Sequence, residues 1–428
     1  MPTRRRLLQA TVAALAAPSI ARAGSGAQVL RVVPQADLGS LDPVWTTSYQ
    51  TRDHGFLVFD TLFGLNSKFQ ASPQMAEGAV SEQDGMLWRV TLRDGLTFHD
   101  GSKVLARDAA ASVRRWGARD GFGQALLAAC DEIGAPDDRT LTFHMKHPFP
   151  LLPDALAKAP PSMCPIMPER LATTDAYTQV TEMVGSGPYR YKADERVAGS
   201  MVVYERNTDY VPRAGGIADG TAGPKVAWFD RVEWHIIPDP PTVAAALQEG
   251  EVDWWLTPDA DLLPALRRRP KVTVETIWPT GLIATLRFNH LNPPFDNPAI
   301  RRAIVRAVSQ TDYMIGMVGT DPSLWRDRVG YFCPGCSMAS GTGMEALTSP
   351  RDLGAVRRAL EQAGYANETV VVLTPTDIAS ARALAEITAD TLRQVGMKVQ
   401  APAMDWATLV QRRAKTDPVA QGGWSIFH

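Results

Sequence analysis

Two runs of alternating strand and helix patterns, broken at "WPTG" (residues 278–281), constrain this chain more than any other feature of its sequence. Before the break, "FDRVEWHII" (residues 229–237) predicts a strand, residues 242–248 a helix and "VDWWL" (252–256) a strand. A helix from Asp259 and a strand over 272–277 follow. After the break the pattern restarts with a strand over 282–289 and a helix opening on Pro298, where the missing N–H is no loss. The amphipathic stretch 351–364, stopped by glycine, is a further helix. A strand over 369–373, a long helix through Val395, a strand over 397–401 and a helix from Trp406 come next. Alternation of this kind builds α/β sheets flanked by helices, so two α/β units are expected.

The earlier stretch is richer in strands. "QVLRVV" (28–33) predicts a strand, and "TRDHGFLVFDTLFGL" from Thr51 carries apolar groups at helical spacing. In residues 85–102, Leu87, Val90 and Leu92 alternate with polar residues and Asp-Gly pairs mark turns. "ARDAAASVRRWG" from Ala106 predicts a helix with Asp108 in its first turn, where a carboxylate suits the helix dipole. "RTLTFHMK" (139–146) predicts another strand, and residues 185–210 a hairpin turning at Gly199.

The N-terminus carries an address. "TRRRLLQ" (3–9) leads into an apolar run over residues 7–17 and then "ARA" at 21–23. A basic start, a short apolar core and a small-x-small site make a secretory signal, cleaved after Ala23. Arg4 and Arg5 followed by Leu7 and Leu8 have the twin-arginine form. The apolar run falls short of the roughly 20 residues that span a bilayer, so the mature protein is expected free in the periplasm.

The four cysteines then meet an oxidising compartment. "CPGC" (333–336) has redox spacing but loop-like flanks, without the helix N-terminus that lowers a thiol pKa. A local disulfide or two free thiols is expected there; spacing alone does not decide whether Cys130 and Cys164 pair. A net charge of −2 argues against a nucleic-acid partner. The sequence has no Gly-x-Ser-x-Gly elbow, His-Glu-x-x-His helix or phosphate-cradling loop, which leaves a secreted enzyme as the weaker alternative.

"QGGWSIFH" (421–428) closes the chain with two glycines and then Trp424, Ile426 and Phe427. This is a buried strand pattern, and its backbone groups need partners. Either it pairs with an earlier segment or the natural chain continues.

Four stretches, in order, resemble the extracytoplasmic solute-binding proteins of ABC importers, in the branch serving dipeptides, oligopeptides and nickel (solute-binding family 5). They are "LTFHDGSKVLARDAAASVRRW", "GSGPYRYKADERVAGSMVVYERNTDYV", "FNHLNPPFDNPAIRRAIVRAV" and "RRALEQAGY". The resemblance runs from about Gln28 to His428. It implies an α/β, two-lobed periplasmic binding protein fold (type II-like) that closes on a solute about a hinge. Residues 1–23 would be the signal and 24–278 lobe one, with a β-rich subdomain inserted at about 45–184. Residues 279–428 would be lobe two. Members of this family run further and return to complete both lobes, so lobe two and the returning C-terminal segment are expected to be cut short here.

By the same resemblance, solute contacts come from the loop after the first strand and from the strand ends of lobe two. The first is "DPVWTTSYQ" (42–50), with Trp45, Thr47, Ser48 and Tyr49; its hydroxyls also suit an N-cap role for the following helix. The second is the stretch with Gly423, Trp424 and Phe427. In the free-peptide binders an aspartate three residues after this tryptophan takes the ligand's α-amino group. Here that position is Phe427. A buried amine without its carboxylate costs roughly 2–5 kcal/mol, so a solute without a free amine fits better than a zwitterionic peptide. Trp424 is expected to line the cleft; Trp406 and Trp278 are either cleft walls or core. No cofactor is expected, and no ligand cluster supports the nickel- or haem-carrier alternative. The implied partners are a small-molecule or peptide-like solute and the permease and ATPase subunits of the importer, with the binding protein a monomer.

Overall fold

Residues Arg231–His235 show how the N-terminal part is layered. Their burial alternates strictly, with Val232 and Trp234 in the core and Arg231, Glu233 and His235 on the other face. On that outer face Arg231 pairs with Glu195 at 2.5 Å and Glu233 at 2.7 Å. This strand lies at the centre of a five-stranded mixed sheet in the computed structural model, which describes residues 28–158, 162–277, 281–332, 334 and 339–428. It runs parallel to Val29–Val33, which in turn is parallel to Trp254–Trp255. On its other side it is antiparallel to Met201–Arg206, which pairs with Tyr189–Tyr191 through the expected hairpin. Gly199 takes a positive φ of 71° at that turn, a conformation glycine adopts without steric cost.

A second, four-stranded antiparallel sheet is built from Ala76–Glu82, Leu87–Leu92, Thr140–Met145 and Cys130–Gly134. Helices Ala106–Arg119 and Gly121–Ala129 cover it, and Leu152–Ala157 packs beside them on the hairpin Phe63–Leu65 and Ala71–Pro73, around a core that includes Phe98, Trp116, Leu126 and Phe143. The helix at Ala106 starts as its sequence requires: Asp108 accepts from the Leu105 N–H at 2.8 Å and closes the first turn. Cys130 and Cys164 both lie in this core as free thiols, each buried among apolar side chains, so the structure does not pair them.

In the C-terminal part, Thr369–Val371 runs parallel to Lys398–Gln400, and Thr374–Pro375 parallel to Ala403–Met404. The closing segment Ile426–Phe427 is antiparallel to Arg287–Phe288 and bridges to Val372 on its other side. The strand at the end of the sequence thus has neighbours on both edges. Helices Pro298–Val305, Leu353–Gln362 and Ala379–Gln394 pack on this layer through Ile300, Leu360 and Leu392. Among the described residues, each hydrophobic cluster draws on residues before 278 or after 281, never both.

Three elements differ from the sequence reading. Residues 272–277 form no strand, because no neighbouring chain offers them a ladder. The strand over 282–289 shrinks to Arg287–Phe288, the only part opposite Ile426–Phe427. The helix from Asp259 is a 3₁₀ turn, Ala260–Leu262, followed by the four-residue helix Leu263–Leu266. The signal segment, Trp278 and the Cys333 and Cys336 pair lie outside the described residues. Among the described residues no helix is long and apolar enough to cross a membrane.

Candidate functional site

The loop after the first strand is fixed by a buried ion pair. Asp42 is fully buried and takes Arg115 Nη1 at 3.1 Å and Nη2 at 2.6 Å, with the N–H groups of Val44 and Val180 at 2.9 Å. Arg115 completes its own bonding on the carbonyls of Thr174 and Thr178. With both charges fully bonded, the pair holds the turn of half-buried Trp45, buried Thr46 and exposed Thr47 in one place.

Those residues line a cavity of about 210 Å³. Arg119, one helical turn after Arg115 and so on the same helix face, lines it too. Its Nη2 donates to the Trp45 carbonyl at 2.8 Å and its guanidinium lies 4.5 Å from the centre of the Tyr177 ring. Asp120 caps the next helix by accepting from the N–H groups of Phe122 and Gly123 at 2.8 and 3.2 Å. Burial alone would raise its pKa, but bonds from Lys158 and Ser162 outweigh this and hold it below the ordinary carboxylate range.

The far wall comes from the C-terminal part. Arg413 ends the helix Trp406–Arg413, where a cation suits the helix dipole, and it also lines the cavity. Its Nη2 donates to Thr47 Oγ1 at 3.2 Å and its guanidinium lies 4.8 Å from the centre of the Phe427 ring. Burial lowers its pKa first, and the charges of Arg287 and Arg119 lower it further.

The structure brings Trp45, Thr47 and Phe427 together through Arg413. Ser48 stands at the N-cap of helix Tyr49–Val58 without bonding its N–H groups; its hydroxyl meets Gln50 Oε1 at 2.6 Å instead. Tyr49 carries the Arg52 guanidinium on its ring at 4.5 Å. Trp406 is half-buried with its ring 6.0 Å from Phe427, and its indole N–H has no partner among the described residues. Gly423 is a packing residue: a Cβ there would overlap the Asp417 carbonyl.

Trp424 is not at the cavity. It is 8% exposed, packs with Val371, Leu373 and Leu409, and donates its indole N–H to the Lys415 carbonyl at 3.3 Å. Phe427, three residues on, stays half-buried under Arg413, whereas Trp424 is enclosed by these side chains: the residue expected to look into the cleft looks into the core.

Arg119, Arg287 and Arg413 were not singled out by the sequence reading. Arginine at the end of a helix is common, and only the meeting of residues far apart in sequence marks these three. Among the described residues no group of three or more histidine, cysteine, aspartate or glutamate side chains is placed to hold a metal ion.

The profile of the bacterial extracellular solute-binding proteins, family 5 Middle, matches residues 70–427. The chain is 36% identical over 441 aligned positions to a probable peptide ABC transporter periplasmic-binding protein, y4tO, of Sinorhizobium fredii, covering 99% of this chain and 80% of that one. It is 27% identical to the glutathione-binding protein GsiB of Pectobacterium atrosepticum, covering 91% and 71%. Among solved structures, the periplasmic binding protein AgaA of A. tumefaciens in complex with agropinic acid aligns with a TM-score of 0.71 at 21% identity, over 91% of this chain and 74% of that one. The Helicobacter pylori protein DppA in complex with a peptide aligns at 0.68 and 22%, over 90% and 75%. From the matched profile and the y4tO relative, the chain belongs to the bacterial extracellular solute-binding proteins of family 5, which bind and deliver a solute and catalyse no reaction.

Proposed function

We propose that this protein captures a small, peptide-like or related organic solute between two lobes, about residues 24–278 and 279–428, and presents it to the permease and ATPase subunits of an ABC importer. The single observation that carries the location is the cavity of about 210 Å³, lined from one side by Trp45 and Thr47 and from the other by Arg413. Its size suits a guest smaller than the drug-sized ligands that fill pockets of roughly 300–1,000 Å³. The names of relatives support the class: one is a probable peptide transporter component, two bind glutathione or a peptide, and one was solved with agropinic acid. In this reading the four-stranded sheet with its helices is a subdomain inserted in lobe one at about 45–184, and residues 1–23 are an export signal cleaved after Ala23.

Binding energy does its work by favouring the closed form, which the membrane partner recognises. Contacts that span the lobes, such as Arg413 to Thr47, exist only when the lobes meet. The test is native mass spectrometry of the protein purified from the periplasm, followed by small-angle scattering with and without the solute found. A bound small organic molecule and a smaller radius of gyration on its addition are expected. A protein that carries no solute and never compacts with a broad metabolite library sinks the reading.

A further inference from the structure

Two guanidinium groups, Arg287 and Arg413, meet at Phe427, and a third, Arg119, lines the same cavity as Arg413. Arg287 lies directly opposite Phe427 in antiparallel register, so their side chains share a sheet face. Arg413 lies over the same ring, and Arg119 reaches the shared cavity from the N-terminal part. Among the described residues none of the three has a carboxylate within ion-pair distance. The acidic group in the cavity, Asp120, is committed to Lys158, Ser162 and two backbone N–H groups. The net charge left facing the cavity is positive.

We propose that Arg119, Arg287 and Arg413 anchor a carboxylate of the bound solute beside Phe427. The inference rests on the solute-capture reading above and names the chemistry of its guest: an organic acid, or a peptide-like molecule with a blocked amine, entering carboxylate first. Each guanidinium offers donors in a planar fork that matches two carboxylate oxygens. Arg413 spends one donor on Thr47 and Arg119 one on Trp45, and the other donors of each fork have no partner among the described residues. Holding three like charges near one another, two of them half-buried, costs free energy that a bound anion offsets. The lowered pKa of Arg413, from burial and then its two arginine neighbours, is the sign of that cost. Phe427 supplies the stacking face that holds the Arg413 guanidinium.

The test is calorimetric titration of the purified full chain with a panel of N-acetylated dipeptides, each as free acid and as C-terminal amide, and with the same dipeptide amides bearing a free amine. Mass spectrometry of the co-purified solute runs beside it. The free acids are expected to bind at least about tenfold more tightly than their amides, as befits a charged hydrogen bond. Arg413→Gln and the exposed Arg287→Gln should each erase most of that ratio at an unchanged melting temperature, while Arg413→Lys keeps the charge but recovers only part of it. Equal binding of acid and amide, tightest binding of the free-amine amides, or a co-purified solute without a carboxylate overturns the anchor and leaves solute capture standing. No binding by any panel member together with no co-purified solute overturns both.

Discussion

Arg413 and Thr47 are hydrogen-bonded at 3.2 Å although 366 residues separate them in the chain. The donor ends a helix of the C-terminal part and the acceptor lies in the loop that Asp42 pins to the N-terminal part. Thr47 is exposed and packs into no core. Thr47→Val should therefore leave the melting temperature within about 1–2 °C and weaken solute binding by up to about tenfold, the reach of one hydrogen bond to a charged group. Calorimetric titration beside a thermal melt checks it. A lower melting temperature with unaltered affinity would move Thr47 from closure to folding.

Gly423 is tested by adding one methyl group. A Cβ there would overlap the Asp417 carbonyl, which Asn292 Nδ2 holds at 3.2 Å, while Arg412 fixes the glycine side by donating to the Gly422 and Gly423 carbonyls at 3.1 and 2.9 Å. Gly423→Ala should cost at least about 3 kcal/mol, at the upper end of what overpacking a rigid site costs. Gly78→Ala is the control, since nothing stands within 4 Å of a Cβ there, and should stay within about 1 kcal/mol. Urea unfolding of both variants measures the difference. Equal losses would show that the Gly422–Gly423 turn relaxes freely.

Asp42 and Arg115 should be inseparable. Their side chains are 0% and 2% exposed, so removing either leaves a buried charge without its partner. Arg115→Met is expected to cost about 3–5 kcal/mol. It should also free the Trp45–Thr47 loop and so weaken solute binding more than the stability loss alone explains. Arg170→Met, which breaks the exposed pair with Glu182, should cost under about 1 kcal/mol. Chemical denaturation of the two variants gives the comparison.

Trp424→Ala separates core from cleft. The indole packs on Val371, Leu373 and Leu409, and its N–H is satisfied by Lys415. The substitution should lower stability by about 3–5 kcal/mol. Trp406→Ala, at a half-buried ring beside Phe427 whose indole N–H has no partner among the described residues, should lose less stability and more affinity. Thermal melts and titrations on both variants decide it; a Trp424 variant that melts normally but binds poorly would return that indole to the solute.

Much of the fold was legible because its signals are local. The helix at Ala106 announces itself by Asp108, the one at Pro298 by its first residue, and the hairpin by Gly199. Residues 272–277 read as a strand on composition alone, and composition cannot report whether a neighbour is present to pair. The site was half legible. The Trp45–Thr47 loop follows the first strand and could be located by order along the chain. Trp424 reads as part of a strand, but the strand formed is only Ile426–Phe427, too short for an alternation that says which way a neighbouring side chain points. The arginines were invisible for the opposite reason: their role comes from a meeting of residues 119, 287 and 413, which no local window contains.

Acid should destabilise the protein before its carboxylates titrate. Burial holds three histidines neutral: His54, bonded to Tyr204 at 3.0 Å, has its pKa lowered from 6.5 to about 3, and His99 and His428 are lowered to about 4. Because these folded values lie below the unfolded one, the unfolded chain binds more protons between pH 6.5 and 4. Stability from these groups is therefore complete above about pH 6.5 and is lost as pH falls toward 4. Each unit of separation is worth about 1.4 kcal/mol, so three rings acting together outweigh a single surface pair. Asp53 and Asp259 work in the opposite sense at the bottom of the window, since burial raises both carboxyls above the ordinary value, but they are two groups against three. The melting temperature should be level from pH 8 to 7 and fall steadily from 6.5 to 4.5 in scanning calorimetry. A flat profile across that range would mean that the buried rings gain protons in the folded protein as readily as in water.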